Sequence, residues 1–213
     1  MRKTKAEAAR TRQSLLDGAL RCFDKQGIAG STLDDIARAA RVTKGALYWH
    51  FTGKGAILRA VRDAVTLPIL DRADVTLLHE RCEDPLERIE AFLAAMLHSL
   101  EKDRAVRTAL SVMQFKCEFA GELEAELDGA RVNTRRLVEG FFRAYTMARR
   151  KGLLAAGLTP RVAAAETMMF MSGLMRMWLL DPTSKGLRRD ARAAIRAHVA
   201  SKRALNGVRA AAA

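Results

Sequence analysis

The chain has no run of about eighteen apolar residues, so the sequence supports no membrane-spanning helix. It lacks a secretory pattern too, because the basic start at Arg2, Lys3 and Lys5 meets no apolar stretch before Leu15. Cysteine is scarce and odd in number. Cys22, Cys82 and Cys117 are scattered, which argues against a disulfide framework and fits reduced thiols in a cytoplasmic protein. There is no Gly-rich phosphate loop and no Ser/His/Asp order in a strand-turn-helix context, so no enzyme is expected. The nearest approach to a metal pair is His79-x-x-Cys82. It lacks two ligands, and Cys117 or His98 would have to come from other helices, so neither metal nor cofactor is expected. His98 and His198 read as polar positions on helix faces. No alternating strand pattern appears, which leaves an all-α fold.

What the chain does have is positive charge, unevenly spread. The formal net charge is +13. Residues 1–64 carry 13 Lys/Arg against 6 Asp/Glu, residues 65–130 carry 7 against 14, and residues 131–213 carry 17 against 4. A basic surface attracts polyanions, although a solvated Arg-rich helix face accounts for the last segment equally simply.

Helical spacing runs throughout. Leu15, Leu16, Ala19, Leu20 and Phe23 share one face, and Gly27 is placed to end that helix. Thr32 with Asp35 resembles a capping box for a short helix ending near Ala40, and Thr43 caps another through Phe51. A longer helix starts near Gly55 and contains Pro68, where a kink is expected. Asp84-Pro85-Leu86-Glu87 and Thr159-Pro160 are start signals for two more. Between them lie helices over about 105–119 and 122–151. A final Ala/Arg-rich helix covers about 187–204, and the tail from Asn206 is expected to fray. This makes about nine helices, three or four of them in a small N-terminal unit and the rest in a larger bundle.

Residues 32–51 read TLDDIARAARVTKGALYWHF. Leu33, Ile36, Ala37, Ala40, Val42, Leu47 and Phe51 turn inward and join two short helices steeply, which is a helix-turn-helix pattern. Outward lie Lys44, Gly45, Ala46, Tyr48, Trp49 and His50, a bulky cluster ill suited to a plain solvated surface but well suited to DNA. Gly45 and Ala46 permit close approach to base edges, and Lys44 is a donor for guanine acceptors. Tyr48, His50 and Lys54 are suited to phosphates, as are the free N–H groups of the helix that Thr32 opens.

On these residues, and on TRQSLLDGALRCFDKQG before them, the sequence resembles the TetR family of repressors. The resemblance implies that Thr32, Thr43, Lys44, Gly45, Ala46, Tyr48, Trp49, His50 and Lys54 contact DNA. Arg41 stands where most relatives have Gly. In a left-handed turn this costs on the order of 1 kcal/mol, which a phosphate contact from Arg41 would offset.

QFKCEFAGEL at 114–123 and MSGLMRMWLLDPTSKGLRRDAR at 171–192 resemble the AcrR-type repressors of multidrug-efflux pumps. That resemblance implies an N-terminal helix-turn-helix domain over 1–54 and an effector-binding and dimerisation domain over 55–213. It further implies a homodimer on a palindromic double-stranded operator, released by a small hydrophobic or amphipathic effector. The Met-rich helix adds adaptable apolar surface. Expected pocket residues are Met96, Met113, Gln114, Cys117, Glu118, Phe141, Met171 and Trp178. Expected dimer residues are Met168, Met171, Met175, Trp178, Ile195 and Val199. Two alternatives stay open at this point: a regulator of a metabolic pathway, and a DNA-binding protein without a small effector.

Overall fold

The computed structural model describes residues 4–78 and 83–204. The His79–Cys82 pair and the tail from Asn206 lie outside the described residues. Among those described there are nine α-helices and one short 3-10 turn, Gly121–Leu123. The helices are α1 (Lys5–Gln26), α2 (Leu33–Ala40), α3 (Lys44–His50), α4 (Lys54–Leu77), α5 (Pro85–Lys102), α6 (Arg104–Phe115), α7 (Glu124–Arg150), α8 (Pro160–Leu180) and α9 (Lys185–Ala200). The all-α expectation holds. The only β contact among the described residues is a single antiparallel bridge, Leu154 with Arg203.

The helix boundaries follow local chemistry. Thr4 and Thr32 each form a capping box, with Glu7 and Asp35. Asp84 accepts the Leu86 amide at 2.8 Å and Pro85 follows as the first residue of α5. Thr159 and Pro160 open α8 in the same way. Gly27, with φ 74°, ends α1 in a backbone region that costs glycine little. The last helix starts two residues earlier than its spacing suggests. Ser184 caps it, while Asp181 is taken up by the Thr183 hydroxyl and amide.

Packing divides the chain into two compact units, Met1–Leu67 with Asp103–Val132, and Pro68–Lys102 with Asn133–Ala213. In the first unit, Leu15, Ala19, Phe23, Ile36, Leu47, Phe51 and Ile57 form one core. Ala109 and Val112 of α6 belong to that core as well. Chain order alone groups α6 with the later helices; its packing on α1 does not. Lys116, which follows α6, donates to the carbonyl and carboxylate of Asp24 near the end of α1.

A buried carboxylate braces the same unit. Glu126 on α7 is 3% exposed and receives Arg59 at 2.6 Å and Arg62 at 3.3 Å, both from α4. These guanidiniums hold its carboxyl below the usual range. Arg62 also donates to the Glu126 carbonyl at 3.1 Å. A Cβ at Gly129 would meet the Arg62 guanidinium at 2.4 Å, so the bare backbone there makes room for the cation.

In the second unit Leu86, Ile89, Phe92, Leu93 and Leu97 of α5 are buried, as are Phe141, Ala144 and Tyr145 of α7. α9 packs on α5 and α8. Arg203 closes the end of the described chain by pairing with Asp84, the cap of α5, at 2.6 Å. Pro68 lies inside α4, where it removes a backbone donor, and α4 passes from the first unit to the second at that residue.

Gly18 marks the tightest approach between α1 and α2: a Cβ there would lie 2.9 Å from the Ala40 nitrogen. Backbone gives way less readily than a side chain. Gly18→Ala is expected to lower the stability of the first unit by about 1–3 kcal/mol, read from denaturant midpoints. An unchanged midpoint would show that the helices separate at little cost.

Candidate nucleic-acid interface

α3 has only seven residues, and its orientation is set by what it buries. Leu47 is fully buried and Phe51 nearly so, both in the core shared with α1 and α2. The opposite side is therefore turned to solvent. Lys44, Gly45, Tyr48 and Trp49 share that side and are all exposed, Tyr48 to 50% and Trp49 to 73%. Trp49 meets His50 edge-on, with ring centroids 4.5 Å apart. Ala46 and His50 are half-buried on the flanks. Nothing lies within 4 Å of a Cβ at Gly45, so the start of α3 is open to a large partner.

The turn between the helices is built from backbone. Arg41 has φ 56° and ψ 42°, the only positive φ outside glycine among the described residues. Its amide donates to the Arg38 carbonyl at 3.1 Å, and that of Val42 to Ala37 at 3.0 Å. Arg41 is exposed. Thr43 caps α3 by accepting the Ala46 amide at 3.2 Å, and Thr32 exchanges bonds with Asp35 at 3.1 and 3.2 Å. Thus Thr32, Arg41, Thr43, Lys44, Gly45, Ala46, Tyr48, Trp49 and His50 all fall on α3, its cap, or the turn and cap of α2. Lys54 differs: it is half-buried, and its ammonium donates to the Ile28 carbonyl at 3.4 Å. The sequence reading also missed Asp34, which pairs with Lys44 at 2.9 Å. No spacing rule links two such residues across a turn.

The residues expected to line an effector pocket separate between the two units. Met96, Phe141, Met171 and Trp178 are buried in the second, where Phe141 meets Phe92 edge-on at 5.7 Å. Met113, Gln114, Cys117 and Glu118 belong to the first, Gln114 and Glu118 being exposed. Cys117 packs against the first unit's core, and burial pushes its thiol up to about 11.

The residues expected at a dimer interface differ in how far the single chain already buries them. Met171, Trp178, Ile195 and Val199 are buried within the single chain, so a partner has almost nothing left of them to cover. Met168 and Met175 are half-buried. The apolar side chains that α8 leaves open are Val162, Met169, Met177 and Leu180. Arg188 lies over the Trp178 ring at 4.3 Å, and the Trp178 Nε1 has no acceptor among the described residues.

His198 is more than a polar position on a helix face. The buried Tyr145 hydroxyl lies 2.7 Å from Thr167 Oγ1, which lies 2.9 Å from His198 Nε2. Phe170 stacks on the imidazole at 4.2 Å. With the imidazole neutral, Tyr145 donates to Thr167 and Thr167 to His198, and every hydroxyl proton has an acceptor. A proton on Nε2 breaks that order. Burial, with help from Lys202 and against the opposing pull of Glu166, takes the His198 pKa down to about 4.

A solvent-facing aromatic helix set on a buried three-helix core defines a helix-turn-helix DNA-binding regulator. Residues 15–61 match the bacterial regulatory proteins of the tetR family, and residues 84–201 match the C-terminal region of the MAATS-type transcriptional repressors. The chain belongs to the tetR family and is a transcriptional repressor of that type. It is 32% identical to the regulator AcrR of Shigella flexneri, over 90% of this chain and 88% of that protein. It is 34% identical to TtgR of Pseudomonas putida, over 89% of this chain and 90% of that one. Among solved structures, NalD of Pseudomonas aeruginosa, described as the secondary repressor of a multidrug efflux pump, superposes with a TM-score of 0.81. Its identity is 25%, covering 93% of this chain and 98% of NalD. The complex of SmeT with triclosan superposes equally well, TM-score 0.81 at 27% identity over 90% of each chain.

Arg41→Gly relieves the left-handed turn and should raise stability by on the order of 1 kcal/mol, measured by denaturation. No gain would mean that the Arg41 side chain stabilises the turn by as much as its backbone costs. For His198 the folded pKa lies below the ordinary 6.5, so the unfolded chain binds the extra proton between the two values. Its contribution is present above about pH 6.5 and is lost as pH falls towards about 4. His198→Gln should flatten that part of the stability profile relative to the parent; parallel profiles would exclude the coupling.

Proposed function

We propose that the chain binds a palindromic double-stranded operator as a homodimer and is released from it by a small hydrophobic or amphipathic effector. The exposed α3 face, set against the fully buried Leu47, carries this reading. Residues 1–54 act as the DNA-binding part and 55–213 as the effector-binding and dimerisation part. Lys44, Gly45 and Ala46 face base edges; Tyr48, Trp49, His50, Arg41 and the caps Thr32 and Thr43 fix register on the backbone. Lys54 joins them only by leaving the Ile28 carbonyl.

Dimerisation is assigned to the open side of α8, Val162, Met169, Met177 and Leu180, because contiguous apolar side chains of this size gain by leaving water. A twofold dimer presents two copies of α3 to successive major grooves, about 34–36 Å apart. Effector binding is assigned to the second unit, whose buried Met96, Phe141, Met171 and Trp178 offer an adaptable apolar lining. The SmeT–triclosan complex supports an effector of this chemistry, and NalD supports control of a multidrug efflux pump operon. Effector and DNA then oppose each other with equal coupling in both directions, through α4, the helix that both units share with Pro68 at the crossing.

Footprinting on the intergenic DNA upstream of its own gene tests the reading. A symmetric protected site is expected, with affinity falling steeply as salt rises and protection lost on adding triclosan or a similar compound. Affinity indifferent to salt, or an asymmetric site, would sink it. Met169→Asp with Leu180→Asp should give monomers by sedimentation and weaken operator binding at least tenfold. A stable dimer of that variant would move the interface elsewhere.

A further inference from the structure

The ammonium of Lys44, the first residue of α3, is already engaged. It lies 2.9 Å from Asp34 Oδ1 and 3.0 Å from Oδ2, a pair that spans the turn from α2 to α3. Both side chains are more than half exposed, 57% and 54%. The adjacent carboxylate, Asp35, is used elsewhere, since it closes the cap with Thr32 and meets Arg38 at 3.4 Å. Asp34 thus sets a negative charge beside the helix that carries Tyr48 and Trp49, on the very side where phosphates would come. That placement opposes DNA binding unless it does something useful there.

We propose that Asp34 is a specificity-determining residue whose carboxylate competes with DNA for the Lys44 ammonium. The inference rests on the DNA-interface reading above. Binding to arbitrary DNA depends almost wholly on phosphate charge, whereas a cognate site adds base-edge contacts. Lys44 meets base-edge acceptors only at a cognate site, which offset its release from Asp34; on arbitrary sequence the carboxylate keeps the ammonium from phosphates. Exposed ion pairs contribute little by themselves, so a cognate site displaces this one readily. The hydrogen bond and charge of Asp34 also raise the Lys44 pKa.

The test measures affinity for the upstream duplex and for an unrelated duplex of equal length, at several salt concentrations. Asp34→Asn should bind the unrelated duplex on the order of 3- to 10-fold more tightly at low salt, with a steeper salt dependence. Its gain on the upstream duplex should be smaller, so discrimination falls. Asp34→Glu keeps a carboxylate within reach of Lys44 and should restore the parent's discrimination. In a Lys44→Gln background the Asp34→Asn gain should shrink by more than half. Equal gains in both backgrounds would overturn the proposal, since they would show plain repulsion and no competition for Lys44. So would an Asp34→Asn protein that binds both duplexes no more tightly than the parent. A parent protein that binds neither duplex at low salt would instead remove the DNA-interface reading itself. Melting curves on each variant separate these outcomes from loss of fold.

Discussion

A two-turn helix is not stable in water by itself, because nucleation costs more than a few hydrogen bonds return. α3, at seven residues, exists only because Leu47 and Phe51 are buried against α1 and α2. Everything nearby serves that burial. Gly18 lets α2 approach α1 to backbone contact, Thr43 accepts the Ala46 amide in the first turn of α3, and the left-handed Arg41 turns the chain within a few residues. The outward face of Lys44, Gly45, Tyr48 and Trp49 is then settled by geometry. With Leu47 pointing in, those four have nowhere else to point.

The core that holds α3 is completed from far along the chain. Ala109 and Val112 of α6 enter it, Lys116 ties the end of α6 to the end of α1, and Glu126 receives Arg59 and Arg62 of α4. A buried carboxylate between two guanidiniums is a poor source of net stability, since desolvation cancels much of the attraction. It is directional, however. A slip of α4 by one turn would move Arg62 out of the space that Gly129 leaves for it and break the paired contact of Arg59 and Arg62 with Glu126. The pair therefore sets the register of α4 against the start of α7 within the first unit.

The sequence revealed local features and concealed distant ones, for a physical reason. Caps, Pro85, Pro160, Gly27 and the helix-turn-helix face are written in neighbouring residues, so spacing alone exposes them. The left-handed turn was also legible, because Arg41 stands where the pattern needs positive φ. The Arg62 socket at Gly129 and the Tyr145–Thr167–His198 chain join residues from different helices, and no periodicity encodes such meetings. α8 is a different case. A helix apolar nearly all round has no inner face visible in its sequence, so Met171 and Trp178 looked as suitable for a partner as Met169 and Leu180. Only burial separates the two sets.

The same helix pair limits how a second copy could be accommodated. On α9, Lys185, Arg189, Arg192 and Arg196 recur at steps of four, three and four, and all four are exposed. In the twofold dimer proposed above, a stripe set at the axis would face its own copy, cation against cation. Arg192 is met by Glu101 at 2.5 Å and Arg189 by Asp190 at 2.8 Å, yet these exposed pairs leave the stripe positive. The open side of α8 carries one exposed cation in its own stripe, Arg176, against four on α9, and Met169 and Leu180 lose water on both copies at once. A dimer centred on α8 would leave the α9 cations at the rim, where solvent and salt screen them.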